Sequence, residues 1–463
     1  MRHVSLVFLL LVGPAAWSSA AFAQGSDPGV QEKLDRVLQA VEAIRQEGAE
    51  KDRRISSLEA QVENLSRLLS EGAGVPQAPA APAAGTLPGE AREFDEKRVS
   101  RGFGGLYTKP FLAKFGQNTY LGGYMDFKYV ERNNENDFFD QQRLIPFIYS
   151  DVSDRVKFAT EIEFEHAGPQ NNRGDGEVKI EFATLDFQVE DWLNFRGGLI
   201  LSPLGKLNLV HDSPIQDLTD RPLVNTFIIP TTLTEAGLGL YGTIEPEGEE
   251  SEWQVTYEVY LVNGFQGLQE NPVVSRFDRV TGVRGGRGSQ RLDINDNGAG
   301  VGRVAYSPFL GLEIGASAHV GPYDQDSELL LAITAVDVTW QGGPFEVLLE
   351  GALADLAQND LSRSRGIPEE LIGYYGQVNY HWMPQWFLDT FKTISRPEST
   401  FTSVVRWDQV DLDGNHLDRL TLGLNYRYTE DTVFKFDYQW DLEDLDRRRD
   451  DGQSFLFSFA TYF

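Results

Sequence analysis

Cysteine is absent from all 463 residues, which excludes a disulfide scaffold, a thiolate metal site and a cysteine nucleophile. Basic charge is scarce: 41 Lys+Arg stand against 70 Asp+Glu, a formal charge of −29. Nucleic acid is therefore not an expected partner, because its phosphates must be met by lysine and arginine. Long hydrophobic runs are missing as well. The apolar run Val4–Val12 falls far short of the roughly 20 residues a membrane-spanning helix needs, and no later segment approaches that length. Aromatic residues are absent between Gln24 and Glu93, and only Phe8, Trp17, Phe22 and Phe94 precede residue 101, although the chain holds 8 Trp, 17 Tyr and 29 Phe. Two different materials are joined in one chain.

The N-terminus carries Arg2 and His3, then the short apolar run, then Ala21-Phe22-Ala23. A basic start, a hydrophobic centre and an A-x-A site predict a secretory signal over 1–23, with the mature chain beginning at Gln24. From Leu34 the positions Leu34, Val37, Val41, Ile44, Gly48, Lys51, Ile55, Leu58, Val62, Leu65 and Leu69 keep strict 3-4 spacing. A 3.5-residue repeat holds one seam toward a partner helix, so 24–70 reads as a periplasmic α-helical coiled coil, loosened where Gly48 and Lys51 interrupt it. The alternative is a single amphipathic helix docked on the rest of the chain. Residues 71–100 hold Pro76, Pro79, Pro82 and Pro88 among alanines and read as an extended linker.

Beyond residue 100 the period changes to two. Val156, Phe158, Ile162 and Phe164 share one face, and charges occupy the other. The alternation recurs in Trp253–Leu261, Leu420–Tyr428, Phe434–Trp440 and Phe455–Phe459. Alternation of this kind suits a soluble sandwich or a membrane barrel. Three features favour the barrel. Apolar faces end in Tyr, Trp and Phe, as interfacial girdles require. Connections alternate: short turns follow even-numbered strands, and most longer loops, including 202–234, 264–299 and 355–371, follow odd ones. Phe463 closes the chain with Phe455, Phe457 and Phe459 in phase behind it, an edge that a soluble sandwich has no reason to expose. The fold class is thus all-β, a transmembrane antiparallel β-barrel of about 16 strands over 101–463, wide enough to leave an aqueous channel. One connection, 383–398, is too long for its side. The expected setting is the Gram-negative outer membrane, with barrel lipid as one partner and small solutes or ions as the others.

Gln141-Gln142-Arg143-Leu144, Glu161-Ile162-Glu163-Phe164, Gly197-Gly198-Leu199-Ile200-Leu201-Ser202-Pro203-Leu204-Gly205 and Thr234-Glu235-Ala236-Gly237-Leu238-Gly239-Leu240 together resemble the phosphate-selective porin O/P family. The resemblance implies a signal, an N-terminal helical stretch and a sixteen-stranded barrel, usually trimeric, passing small hydrophilic solutes or anions such as phosphate. A structural tether is the alternative, in which the coiled coil contacts peptidoglycan and the pore is incidental.

Strand phase sends Lys128, Arg155, Lys157, Lys179, Arg196, Arg303, Arg406, Arg427 and Lys435 into the lumen, with acids including Glu161, Glu163, Glu181, Glu258, Glu313 and Glu350. Charge inside is cheap because a channel is wet, whereas lysine or arginine facing lipid costs about 2–4 kcal/mol at the midplane. The third long loop, 202–234, carries Lys206, His211, Asp212, Asp217, Asp220 and Arg221 and is expected to fold inward as a constriction. Its acids would then face the basic strands Arg155, Lys157, Lys179 and Arg196 across the pore, giving a transverse field and weak selectivity.

Two motifs carry less. Asp293, Asn295 and Asn297 begin a calcium loop, but Val304 stands where its bidentate glutamate belongs, so calcium is a weak candidate and no cofactor is expected. Gly237-Leu238-Gly239-Leu240-Tyr241-Gly242 is a literal G-x-G-x-x-G lying in a strand, where no helix follows to bind a dinucleotide. Ser317 and His319 share a strand face with no acid placed by spacing to orient the imidazole, so no catalysis is expected.

Overall fold

The computed structural model describes residues 113–115, 118–133, 136–168, 176–246, 252–287, 295–296, 298–442 and 452–463. The expected signal, coiled coil and linker lie outside the described residues, as do Asp293 and Asn297.

A short strand β1 (Ala113–Phe115) precedes β2 (Thr119–Arg132), β3 (Phe138–Asp151), β4 (Val156–Glu165), β5 (Glu177–Glu190), β6 (Leu193–Leu201), β7 (Thr234–Ile244) and β8 (Gln254–Val262). A hairpin, β9 (Leu268–Glu270) and β10 (Val273–Ser275), interrupts the series. It resumes with β11 (Ala299–Phe309), β12 (Leu312–Pro322), β13 (Leu330–Gly342), β14 (Phe345–Leu356) and β15 (Glu370–Trp382). It ends with β16 (Thr400–Leu412), β17 (His416–Thr429), β18 (Thr432–Asp441) and β19 (Gln453–Tyr462). Leaving aside β1, β9 and β10, the other strands pair antiparallel in chain order and β19 pairs with β2, so sixteen strands close on themselves. The stretches read from period-two alternation, Val156–Phe164, Trp253–Leu261, Leu420–Tyr428, Phe434–Trp440 and Phe455–Phe459, fall on β4, β8, β17, β18 and β19.

Alternation decides which side chain faces where. On β13, Val336 is 63% exposed on the outer surface while its neighbour Asp337 is 2% exposed inside. Leu238, Leu261, Val304, Leu349 and Val405 extend the same apolar outer belt around the barrel. Trp192, Phe309, Trp340, Phe345, Tyr380 and Trp382 stand on it near the short turns, and Tyr374, Trp407, Tyr438 and Trp440 toward the long loops. An outward apolar band between two aromatic girdles, with charges inside, is the arrangement a bilayer selects.

Closure rests on the last residue. Gly123 and Phe463 exchange backbone hydrogen bonds at 3.0 and 2.9 Å, extending the β19–β2 ladder by one pair. Gly123 is needed there, since a Cβ would lie 2.6 Å from the Ile145 carbonyl oxygen and 2.7 Å from the Phe463 ring.

The connection that seemed too long, 383–399, contains a short helix, α3 (Gln385–Thr390). Phe387 packs against the outer surface, its ring centroid 5.0 Å from Phe401 and 5.6 Å from Tyr426. The added length is an aromatic girdle segment at the barrel rim. Two other short helices, α1 (Val224–Phe227) and α2 (Asp360–Ser364), lie in loops on the opposite rim.

Candidate constriction inside the barrel

The connection 202–233 folds into the barrel. Asn208 closes its base, donating to the Ser202 and Leu233 carbonyls at 2.7 and 3.1 Å and accepting from the Leu233 N–H at 2.9 Å. Leu204, Leu223, Val224, Ile228, Ile229 and Leu233 then pack on inward aliphatics such as Ile333, Ala335, Leu371 and Val410. These residues carry an apolar stretch that looks wasted on a surface loop. Burial inside the barrel is what it serves.

Polar contacts pin the loop to most of the barrel. Ser213 donates to Asp126 on β2 at 2.6 Å, and His211 bonds Glu181 on β5. The Gly205 N–H meets Ser317 on β12 at 2.9 Å, and Lys206 Nζ pairs with Glu313 at 3.3 Å and donates to Thr339 on β13 at 2.9 Å. Glu350 on β14 accepts the Lys206 and Leu207 N–H groups at 2.8 and 3.1 Å and an Asn225 amide. Asp217 accepts from Asn379 on β15 at 2.7 Å, Asn425 on β17 at 3.1 Å and Arg427 at 3.0 Å. The Asp220 carbonyl accepts from Arg406 on β16 at 3.0 Å, and Lys435 on β18 donates to the Ser213 carbonyl at 2.7 Å. Tyr462 on β19 donates to Asp212 at 2.8 Å. Most of these buried groups gain at least one partner in this way, while Asp126 Oδ1, Glu181 Oε2, Asn225 Oδ1, Arg406 Nη2 and Asn425 Oδ1 accept or donate no hydrogen bond among the described residues.

The expected basic residues meet different fates. Arg155 is exposed in the turn before β4 and donates to the Gln188 and Val189 carbonyls at 3.2 and 3.0 Å, so it sits at the rim and not on the lumen face; its position in the turn takes it out of strand phase. Lys157 is 2.5 Å from Asp151 near the same rim. Lys179 pairs with Glu163 at 2.7 Å. Arg196 is buried, bidentate to Asp186 at 2.9 and 2.8 Å, and reaches Glu258 at 3.3 Å. Arg303 is buried between Asp337 and Glu313, at 2.5 and 3.0 Å, and Arg406 pairs with Asp408 at 2.8 Å. Arg427 and Lys435 hold the loop. Most of the basic set is therefore consumed in ion pairs or in anchoring, and Arg196, Arg303, Arg406 and Lys435 are covered from solvent.

The acids of the loop are similarly committed. Asp212, Asp217 and Asp220 meet donors of β15, β17, β18 and β19. Burial alone would raise the Asp220 carboxyl, but Lys128, Arg419, Arg132 and Arg406 outweigh it and hold it below the usual carboxylate range. Arg221 donates to the Thr231 carbonyl at 2.6 Å and turns toward Arg143 and Glu163 instead of the loop's own acids. Sequence reading missed Arg143, Asn379, Asn425 and Asp408, because strand phase marks a residue as inward without naming what it meets.

The two minor motifs resolve plainly. Of the calcium candidates only Asn295 is among the described residues, and its amide donates to the Asp324 carbonyl at 3.0 Å. The Gly237–Gly242 stretch lies wholly within β7. Ser317 holds the loop, while His319 meets Glu235 at 3.1 Å and Glu235 in turn bonds Ser202. Glu235 thus stands between Ser202 and His319, while Ser317 accepts from the loop's Gly205 N–H.

No protein-family profile matches the chain. An uncharacterized protein of Aquifex aeolicus (strain VF5) is 29% identical over 297 residues, covering 60% of this chain and 65% of that relative's length. Solved structures similar to the chain include an anion-selective porin from Comamonas acidovorans, at 11% identity and TM-score 0.48 over 74% of this chain and 99% of that one. The outer membrane channel DcaP of Acinetobacter baumannii is similar at 12% identity and TM-score 0.48 over 76% and 99%, and Salmonella typhi OmpF in complex with daunomycin at 10% and 0.47 over 75% and 98%.

Proposed function

We propose that the chain is an outer-membrane porin, a water-filled channel for passive diffusion of small hydrophilic solutes or ions, without catalysis. The observation that carries this reading is the inward course of 202–233, anchored from β2 through β5 to β12–β19. A barrel of sixteen strands is wide enough for water, and an internal loop fixed to its inner surface narrows what can pass. Charge lines the interior, and an apolar belt supports placement in lipid. Purified full-length protein in planar bilayers is expected to give stepwise conductance; smooth, step-free currents at every protein concentration would sink the channel reading.

The finer assignments extend the same proposal. Residues 1–23 act as the export signal, 24–70 form a periplasmic coiled coil that holds three barrels together and reaches peptidoglycan, and 71–100 link coil to barrel. The resemblance to phosphate-selective porins favours anions as solutes.

A further inference from the structure

The connection 383–399 lies on the outside of the barrel at the rim of the short turns, the level at which bilayer and water meet. Its inner side is already used. Phe387 and Phe391 pack with ring centroids 4.9 Å apart, and Phe387 lies 5.0 Å from Phe401. The Tyr426 hydroxyl donates to the Ile394 carbonyl, and Ser395 donates to the Phe391 carbonyl at 2.9 Å. The other side stays uncovered and mixes two chemistries: Trp386 is 63% and Ile394 48% exposed, beside exposed Lys392, Arg396 and Glu398. Apolar and charged groups interleaved in this way suit the boundary between acyl chains and headgroups. A dry protein contact would leave the charges unpaired.

Arg396 is the ordered charge on this side. Its guanidinium carbon lies 5.1 Å from the centre of the Tyr428 ring, and its Nε donates to the Tyr428 hydroxyl at 2.8 Å. Its backbone N–H donates to Ser399 Oγ at 2.9 Å, and that hydroxyl donates in turn to the Tyr428 carbonyl at 2.8 Å. The side chain is fixed, yet among the described residues neither Nη makes a hydrogen bond or an ion pair. Glu398, two residues on, is near enough to favour the guanidinium's charge but forms no ion pair with it. A forked cation and a carboxylate therefore share one short stretch of chain with their bonding capacity unspent. The rim is not basic as a whole, since Asp389, Glu430 and Asp431 share it, so a purely anionic partner gains little there.

We propose that 383–399 is a phospholipid-binding foot: the Arg396 fork takes the lipid phosphate, Glu398 accepts from a primary ammonium, and an acyl chain lies along Trp386 and Ile394. A planar guanidinium matches phosphate oxygens in pairs. An ammonium brings three N–H donors to the carboxylate, and a trimethylated choline brings none. The foot therefore selects ethanolamine over choline headgroups, and Glu398 repels a headgroup whose net charge is negative. Its apolar part continues the outer belt that Tyr380, Trp382 and Phe345 form at the same rim. The foot rests on the outer-membrane reading for its bilayer, but lipid binding does not require current to flow.

Phosphatidylethanolamine with brominated acyl chains is the probe, because bromine quenches tryptophan fluorescence on contact. Titrated into detergent micelles holding full-length protein, it is expected to quench a saturable component that disappears in Trp386→Phe. Brominated phosphatidylcholine should need about threefold more lipid for the same quenching, the size of an exposed charged contact. Glu398→Gln should remove that preference and leave phosphatidylcholine binding as it is. Arg396→Gln should weaken the binding of both lipids. Arg396→Lys should restore it only in part, since an ammonium offers no fork. Lys392→Gln, exposed on the same segment, should change neither lipid's binding. Equal quenching by both lipids in wild type and in the Arg396 and Glu398 variants means ordinary annular lipid and overturns the foot. So does a Trp386 that no brominated lipid reaches, which would place a second copy or another protein over the segment. Headgroup preference without stepwise conductance keeps the foot and sinks the channel; conductance without headgroup preference does the reverse.

Discussion

Arg196 shows what a single residue contributes when its neighbours come from other strands. It is gripped by Asp186 from β5 and reaches Glu258 from β8, and its guanidinium carbon lies 4.3 Å from the centre of the Tyr241 ring. Removing one member of a buried ion cluster leaves the others charged and unpaired, at a cost of about 3–5 kcal/mol. Arg196→Ala should therefore lower the urea midpoint of the refolded barrel, whereas Arg155→Ala, at an exposed rim turn, should move it little; equal midpoints for both variants would contradict this account. That Arg196 faces inward was legible from alternation alone. That it would be buried against two acids was not, because cross-strand partners depend on register, and register is fixed by turns and bulges that a period of two does not encode. The same holds for His319, whose carboxylate partner Glu235 comes from a strand 84 positions away.

At the scale of elements, strands were legible and loops were not. Each strand repeats the same two-residue choice between lipid and lumen, so the pattern accumulates over ten or more residues. The loop 202–233 has no such repeat; its apolar residues gain meaning only once an interior exists to receive them. The connection 383–399 looked anomalous for the same reason, since α3 packs its aromatics on an outer surface built by β16 and β17. Within the inward loop the Asp217 side chain accepts three hydrogen bonds from the wall, from Asn379, Asn425 and Arg427. Asp217→Ala strands three donors at about 1–3 kcal/mol each. The loop segment around it should loosen, and single-channel traces should become noisier with a higher mean conductance. Traces indistinguishable from wild type would mean that the loop is held in place by its apolar contacts alone.

At the scale of the whole molecule, sixteen strands close on themselves where β19 meets β2. β19 pairs with β2 along nine residues, and Gly123 and Phe463 add one further pair of backbone hydrogen bonds. The coiled coil proposed for 24–70 would gather three barrels. Deleting 30–70 should then leave single-channel conductance intact while chemical cross-linking in membranes shifts from trimer toward monomer. A deletion protein that still cross-links as a trimer would place the assembly contact on the barrel surface.

A hollow cylinder of sixteen strands resists stretching along its hydrogen-bonded circumference far better than it resists flattening. The loop 202–233 changes that, because its attachments fan out to most of the circumference like spokes from an off-centre hub. It braces the cross-section against ovalisation, and the bore is whatever space the spokes leave. Pore width and mechanical stiffness are therefore not independent properties here. Any change that clears the bore by detaching a spoke also softens the cylinder, so wider variants should be easier to unfold, in rank order of the contacts they have lost.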